Sequence, residues 1–376
     1  MSPMGKKRMI ILFSIIIVTM IIVSVVGYFL WNMFLSLFGT IEYGIEIRSD
    51  EDFFKYDFSG TGSSVDPYII ENYVFNGKYM GVLIQNVTRS FIIRNCTITE
   101  FNVGIFLSDI RSDSARVINN EIVNGSWVEV GAYDGIEVTN SSNVLIENNT
   151  LSGTGINGIS LKFSENCTIK ENYIEYCGDG IEVEFSSKIV CSQNNVSQTS
   201  DGIKVSNSFN TSIFGNIIYD CDYNIIEILE TYSCYITGNY LINIGSSNEY
   251  SGNGLYMRRC MDMTITNNTF AGFEDGIKIY YTNSSIFVFN LIENCENYGL
   301  SFFQDCILNE IYLNAFIDNS FGNSQGYEYS VTNNNRWYNE IILQGNYWSN
   351  YLGSGNYTID GNTDTEDIYP LLTSPL

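Results

Sequence analysis

The stretch Gly158-Ile159-Ser160-Leu161-Lys162-Phe163-Ser164-Glu165-Asn166-Cys167-Thr168-Ile169-Lys170-Glu171-Asn172-Tyr173-Ile174 decides the fold. Its aliphatic residues alternate with polar ones, which is the pattern of short strands with one buried face. Ser164, Asn166 and Asn172 interrupt it with residues that favour turns. The same order returns from Gly135 to Leu151 and from Gly202 to Ile218. A glycine followed by an aliphatic residue opens such a segment at Gly81, Gly104, Gly135, Gly158, Gly180, Gly202, Gly254, Gly276 and Gly299, with Asn224 filling the slot once. The spacings are 23, 31, 23, 22, 22, 22, 30, 22 and 23 residues, so two coils carry an insertion of about eight residues.

A unit this short excludes βαβ, which needs about 30 residues. It fits a parallel β-helix, each strand stacked about 4.8 Å above its counterpart. Crossovers between parallel strands are right-handed as a rule. The expectation is therefore an all-β protein with a single right-handed parallel β-helix of about ten coils of 22–23 residues. It covers 49–344 with its N-terminal cap, followed by a C-terminal cap and tail over 345–376.

One slot checks this reading. Asn95, Asn149, Asn172, Asn194, Asn216, Asn268 and Asn290 lie 14 residues after the coil-opening glycine, and Asn120, Asn239 and Asn314 are displaced by one or two. Stacked coils turn this slot into an amide ladder. Pro67, Pro370 and Pro375 fall at the two ends, as expected where interior backbone N–H groups bond neighbouring coils. A helical cap is expected at Ser49-Asp50-Glu51-Asp52 before Phe53 and Phe54.

Lys6, Lys7 and Arg8 precede an apolar run over 9–31, and no further Lys or Arg occurs until Arg48. About 20 apolar residues span a bilayer, and the basic flank stays in the cytoplasm. A cleaved signal has a shorter apolar core, about 7–15 residues. The expectation is a cytoplasmic tail over 1–8, an uncleaved transmembrane signal-anchor helix over 9–31 and a juxtamembrane segment over 32–48, with the remainder outside the cell or in the periplasm.

The chain carries 42 acidic and 18 basic residues, a formal charge of -24. A nucleic-acid partner is excluded on that balance. The absence of histidine excludes Ser-His-Asp and Cys-His catalysis and imidazole metal sites. Nine cysteines without a CxxC pair read as buried free thiols.

At both ends the sequence resembles a known family. Gly60-Thr61-Gly62 with Asp66-Pro67-Tyr68-Ile69-Ile70-Glu71-Asn72 is similar to the entry motif of NosD-type β-helix proteins, which belong to the carbohydrate-binding and sugar-hydrolase (CASH) class of pectate-lyase-like folds. Gly345-Asn346-Tyr347-Trp348-Ser349-Asn350-Tyr351 resembles the family's closing GNYWSDY motif. Asp360-Gly361-Asn362-Thr363-Asp364-Thr365 and Asp367-Ile368-Tyr369-Pro370-Leu371 resemble its DGIGDT…DxYPL segment. The resemblance implies an exported β-helix. The namesake members are periplasmic copper-binding accessory proteins. Without histidine, copper would fall to the soft cluster Met257, Cys260, Met261 and Met263, and packing is the favoured reading of these residues.

Candidate chemistry lies beside the coil-opening glycines. Asp134, Asp179, Asp201 and Asp275 each precede Gly-Ile. Stacking places Asp179 and Asp201 about 5 Å apart, where like charges push one pKa up. With Glu182 they are the catalytic candidates, at a spacing that suits a retaining glycosidase. Ordinary turn chemistry of Asp-Gly is the competing reading. Lys204, Glu184, Tyr256 and Tyr280 are the ligand-binding candidates on the same outward face. Asp360, Asn362 and Asp364 have the spacing that opens a calcium loop, which makes calcium the possible cofactor and copper a disfavoured one. Of eleven N-x-S/T sequons, Asn140, Asn166, Asn210 and Asn283 fall at turns and are the glycosylation candidates.

The sequence thus reads as a membrane-anchored surface protein that binds polysaccharide or another cell-surface glycan, or serves as a structural module. The alternatives are a polysaccharide lyase or glycoside hydrolase using the outward carboxylates, and a NosD-like copper-binding accessory protein.

Overall fold

Three short strands per coil follow from three runs of alternating apolar residues, as in Asn157–Lys162, Thr168–Lys170 and Tyr173–Glu175. In a computed structural model, the described residues are 43–125, 134–243, 252–319, 324–329, 334–362 and 364–376. The cytoplasmic tail, the anchor helix, most of the juxtamembrane segment and the two eight-residue insertions lie outside them. Among the described residues no helix is long and apolar enough to cross a membrane.

The strands stack into three parallel sheets of 13, 11 and 12 strands, a single solenoid of about 11 turns. Register holds like above like: Ile136, Ile159, Ile181, Ile203, Ile226 and Leu255 form one inward column of the first sheet. All six are fully buried. The solenoid begins ahead of the expected boundary, since Tyr43–Ile47 already pairs with the strand at Met80–Val87. This first strand and the C-terminal additions raise the turn count above ten.

Glycine opens most coils because a side chain there would run into the neighbouring coil. A Cβ on Gly180 would meet Gly202 O and Val196 Cγ1, both at 2.4 Å. One slot is corrected here. Ile203 pairs with Ile226, so Ile225, not Asn224, stands in the glycine position, and Asn224 aligns with Asp201.

The asparagine ladder forms. From Asn120 through Asn314 each Nδ2 donates to Oδ1 of the next rung, at 2.9 Å in the last pair, Asn314 to Asn346. The ladder therefore ends inside the Gly345–Tyr351 motif. Asn95 is not a rung. It is exposed at a turn with φ 53°, and Cys96 takes the slot, donating its N–H to Asn120 Oδ1 at 3.0 Å. A second ladder of hydroxyls runs beside the first sheet. Ser164 and Ser186 each accept the N–H of the rung before, from Ser141 at 3.2 Å and from Ser164 at 3.0 Å.

Both ends are plugged by aromatic side chains. A 3-10 helix spans Asp50–Lys55, and Phe53 stacks on Tyr68 at 4.5 Å. The Ser49 side chain makes no cap; instead the Asp52 carboxylate accepts the Arg48 N–H at 2.7 Å. At the far end Trp348 stacks between Phe316 at 4.3 Å and Tyr357 at 4.2 Å. Asp367, fully buried, accepts the Asn346 N–H at 2.7 Å and the Trp348 indole N–H at 3.0 Å.

Candidate functional site

Between two inward residues of a strand, one side chain must face out. On the first sheet this rule aligns Glu137, Glu182, Lys204, Glu227, Tyr256 and Lys278 in one outward row. Two residues further along each strand, a second row holds Lys162, Glu184, Leu229, Arg258, Tyr280 and Phe303. The corner aspartates flank the first row.

Those aspartates bond the coils together. Asp179 Oδ1 accepts the Asp201 N–H at 3.2 Å, and Asp201 Oδ1 accepts the Asn224 N–H at 2.8 Å. Asp134 and Asp275 do the same for Asn157 at 3.1 Å and Tyr298 at 3.3 Å. One oxygen of each carboxylate is thus committed to the backbone of the next coil. The other faces the row. Lys204 Nζ lies 3.2 Å from Glu227 Oε2, 3.9 Å from Asp201 Oδ2 and 4.0 Å from Asp179 Oδ2.

Burial dominates the electrostatics. It pushes the Asp201 carboxyl up to about 6, with Glu227 and Asp179 adding to the rise and the Asn224 N–H opposing it. Asp179 is raised by the same cause against the pull of Lys204. Asp134 is pushed up to about 7 by burial and by Glu137, itself raised by burial. Burial opposes the charge on Lys204, but Glu227 and the two aspartates outweigh it and raise its pKa.

The structure brings Asp179, Asp201, Glu182, Glu184 and Lys204 to one face. Glu182 bonds Lys162 Nζ at 3.0 Å and accepts the Asn157 side-chain N–H at 3.2 Å. Glu182, Glu184, Lys204, Ser206, Leu229 and Arg258 line an open cleft of about 320 Å³. That volume is at the small end of ligand sites. Beyond the cleft the face turns aromatic. Tyr256 and Tyr280 lie 5.8 Å apart, and Tyr280 stacks on Phe303 at 5.0 Å. Phe303 approaches Tyr327 at 5.2 Å, and all four rings are half-buried.

Glu227, Lys162, Lys278 and Phe303 belong to this face and were not singled out from the sequence. Aligning Glu227 with Lys204 needed the correct register of the coil that lacks its glycine.

Asp360 pairs in the first sheet with Tyr327, and Asn362 donates its N–H to Glu328 O at 3.3 Å. Asp364 is exposed. Among the described residues no group of three or more His, Cys, Asp and Glu is placed to hold a metal ion. Asn140, Asn166 and Asn210 are exposed at left-handed turn positions with φ 46°, 55° and 54°. Asn283 is half-buried, and its Oδ1 accepts the Ile307 N–H at 3.0 Å.

Among the described residues the soft donors do not gather into an accessible copper site. All nine cysteines are free and buried, and burial pushes the Cys260 thiol up to about 11. Met257 and Met263 are core residues, while Met261 is 40% exposed on its own.

The fold recurs in solved structures at low identity. The Azotobacter vinelandii mannuronan C-5 epimerase AlgE4 A-module matches with a TM-score of 0.52 and 13% identity, over 75% of this chain and 86% of that one. A tailspike protein mutant of E. coli bacteriophage HK620, solved with a pentasaccharide, matches with a TM-score of 0.52 and 10% identity, over 70% of this chain and 61% of that one. At such identities the likeness shows the fold alone. No curated protein matches the sequence. The family model described as periplasmic copper-binding protein (NosD) matches residues 112–252 and 243–353, more than half of the 376 residues, so the chain belongs to the NosD family.

Proposed function

We propose that the protein is a membrane-anchored, exported module that binds a polysaccharide or other glycan along the outer face of its first sheet. The observation that carries this reading is the half-buried run Tyr256, Tyr280, Phe303 and Tyr327, continuous with a cleft lined by carboxylates and Lys204. Flat rings offer apolar faces to sugar rings, and a few convergent polar groups fix orientation. The apolar run over 9–31 and the periplasmic description of the family support export with an N-terminal anchor. The test is retention of the chain on a panel of polysaccharides, with new chain ends followed at the same time. If the test is run on a chain lacking the apolar run, it should begin no later than Tyr43, because Tyr43–Ile47 is the first strand among the described residues. Running the panel with and without calcium tests Asp360, Asn362 and Asp364 as its ligands.

A second reading rests on one observation. Asp201, raised to about 6, lies against Asp179, the arrangement of a general acid beside an ionised partner. Cleavage that disappears in Asp201→Asn would make the protein a hydrolase or lyase. Binding is the stronger reading, because both aspartates already spend an oxygen on the backbone of the next coil.

A further inference from the structure

We propose that this face accepts an uncharged glycan and turns polyuronates and sulfated glycans away; the inference rests on the glycan-binding reading above. Charge on the two outward rows carries it. Glu137, Glu182, Glu184 and Glu227 lie on the rows. The corner aspartates Asp134, Asp179, Asp201 and Asp275 flank them, making eight carboxylates. Four cations face them: Lys162, Lys204, Lys278 and Arg258. Counting Asp134 and Asp201 as uncharged still leaves six carboxylates against four cations.

The lysines are also engaged. Lys162 lies 3.0 Å from Glu182, Lys204 3.2 Å from Glu227, and Lys278 2.9 Å from Asp275. A uronate carboxylate would have to share each ammonium with a protein carboxylate already paired to it, adding a like charge at the same cation. Arg258 has no ion pair among the described residues, but the neighbouring Glu230 pairs with Arg259 at 2.9 Å, so a single guanidinium stands against the excess of acids. The formal charge of -24 acts in the same direction at longer range. An uncharged sugar meets none of this. Its hydroxyls donate to the carboxylates in charge-assisted hydrogen bonds, and its ring faces lie on Tyr256 and Tyr280.

The test uses the full chain in detergent, titrated with neutral glucan, xylan and mannan and with polygalacturonate, alginate and dextran sulfate, at low and high ionic strength. The expected result is binding to at least one neutral glycan that salt leaves unchanged, with every acidic glycan at least about tenfold weaker. Glu227→Gln, which removes one carboxylate from the row and leaves Lys204 facing only Asp179 and Asp201, should narrow the ratio of neutral to acidic affinity by several-fold, whatever it does to neutral binding itself. Tighter binding to an acidic glycan, weakened by salt, overturns this inference and leaves the glycan-binding reading intact. Binding to no glycan at all overturns both.

Discussion

The backbone N–H of Asp201 donates to Asp179 Oδ1 at 3.2 Å, so two residues that read from sequence as a catalytic pair are also consecutive rungs of a corner ladder. Natural asparagines fill the same corner at Asn157 and Asn224. The Asn157 side-chain oxygen has no partner among the described residues and that of Asn224 accepts the Asn253 side-chain N–H, but an amide oxygen placed where Asp201 Oδ1 lies has the same lone pair for the Asn224 N–H. Near pH 4, where folded Asp201 holds its proton, Asp201→Asn should therefore change stability by less than about 1 kcal/mol, whereas Asp201→Ala, which orphans the Asn224 N–H, should cost about 1–3 kcal/mol. Denaturant midpoints of the two variants decide this. Equal losses would mean the rung bond contributes nothing.

Stability should fall as pH rises from about 4 to 7. Asp134, Asp201 and Asp367 are raised by burial to about 7, 6 and 6, from the ordinary aspartate value of 3.8. Between those values the folded state holds protons the unfolded chain has released. Their contribution is thus fully present below the unfolded pKa and lost as pH climbs through the folded one. Each tenfold difference in proton affinity is worth about 1.4 kcal/mol. With no histidine to titrate in this window, the slope belongs to buried acids. Unfolding midpoints at successive pH values should decline, and Asp134→Asn should flatten the decline. A midpoint that rises toward neutrality contradicts this.

The amide ladder should be among the costliest places to mutate. Asn216 is fully buried and makes four bonds: Nδ2 to Asn239 Oδ1 at 2.9 Å and to Cys191 O at 3.0 Å, and Oδ1 from the Asn194 N–H at 2.9 Å and its Nδ2 at 3.0 Å. Asn216→Ala leaves several of these groups buried and unpaired, a loss of about 3–5 kcal/mol. Asn95→Ala, at an exposed turn, should stay within about 0.5 kcal/mol. Chemical denaturation of the pair measures the contrast, and similar costs would refute the ladder's role.

None of the nine thiols should react with an aromatic disulfide reagent in the folded protein, and all nine should react once it is unfolded. Burial removes access and suppresses the thiolate, as in Cys191 and Cys295, both pushed up to about 12. Stoichiometric Cu(I) uptake by the folded protein would contradict the same burial.

The period, the ladder and the inward columns were legible because stacking forces like residues onto like. The errors came where one residue shifts the count. Asn95 sits in the expected slot by count, but the inward residues Val82 and Ile93 are 11 apart where their counterparts Ile203 and Ile213 are 10 apart, and this one extra residue moves the rung to Cys96. Asn224 reads as a glycine substitute because Ile225, which fills the slot, breaks the motif. Ion pairs such as Lys204 with Glu227 span successive coils, 23 residues apart, and only register reveals them. The burial of Glu328, bonded to the Trp337 indole N–H at 2.8 Å, has no signature in the sequence around it.

The central claim is that a glycan lies on the aromatic strip of the first sheet. It is tested most directly by comparing glycan retention of the parent chain with Tyr280→Ala, a half-buried ring whose loss leaves the inward columns intact. The account predicts that the parent is retained, and that the variant, folded by its unchanged cooperative unfolding, binds at least about tenfold more weakly. Equal retention of both, or no retention of the parent on any glycan, would contradict it.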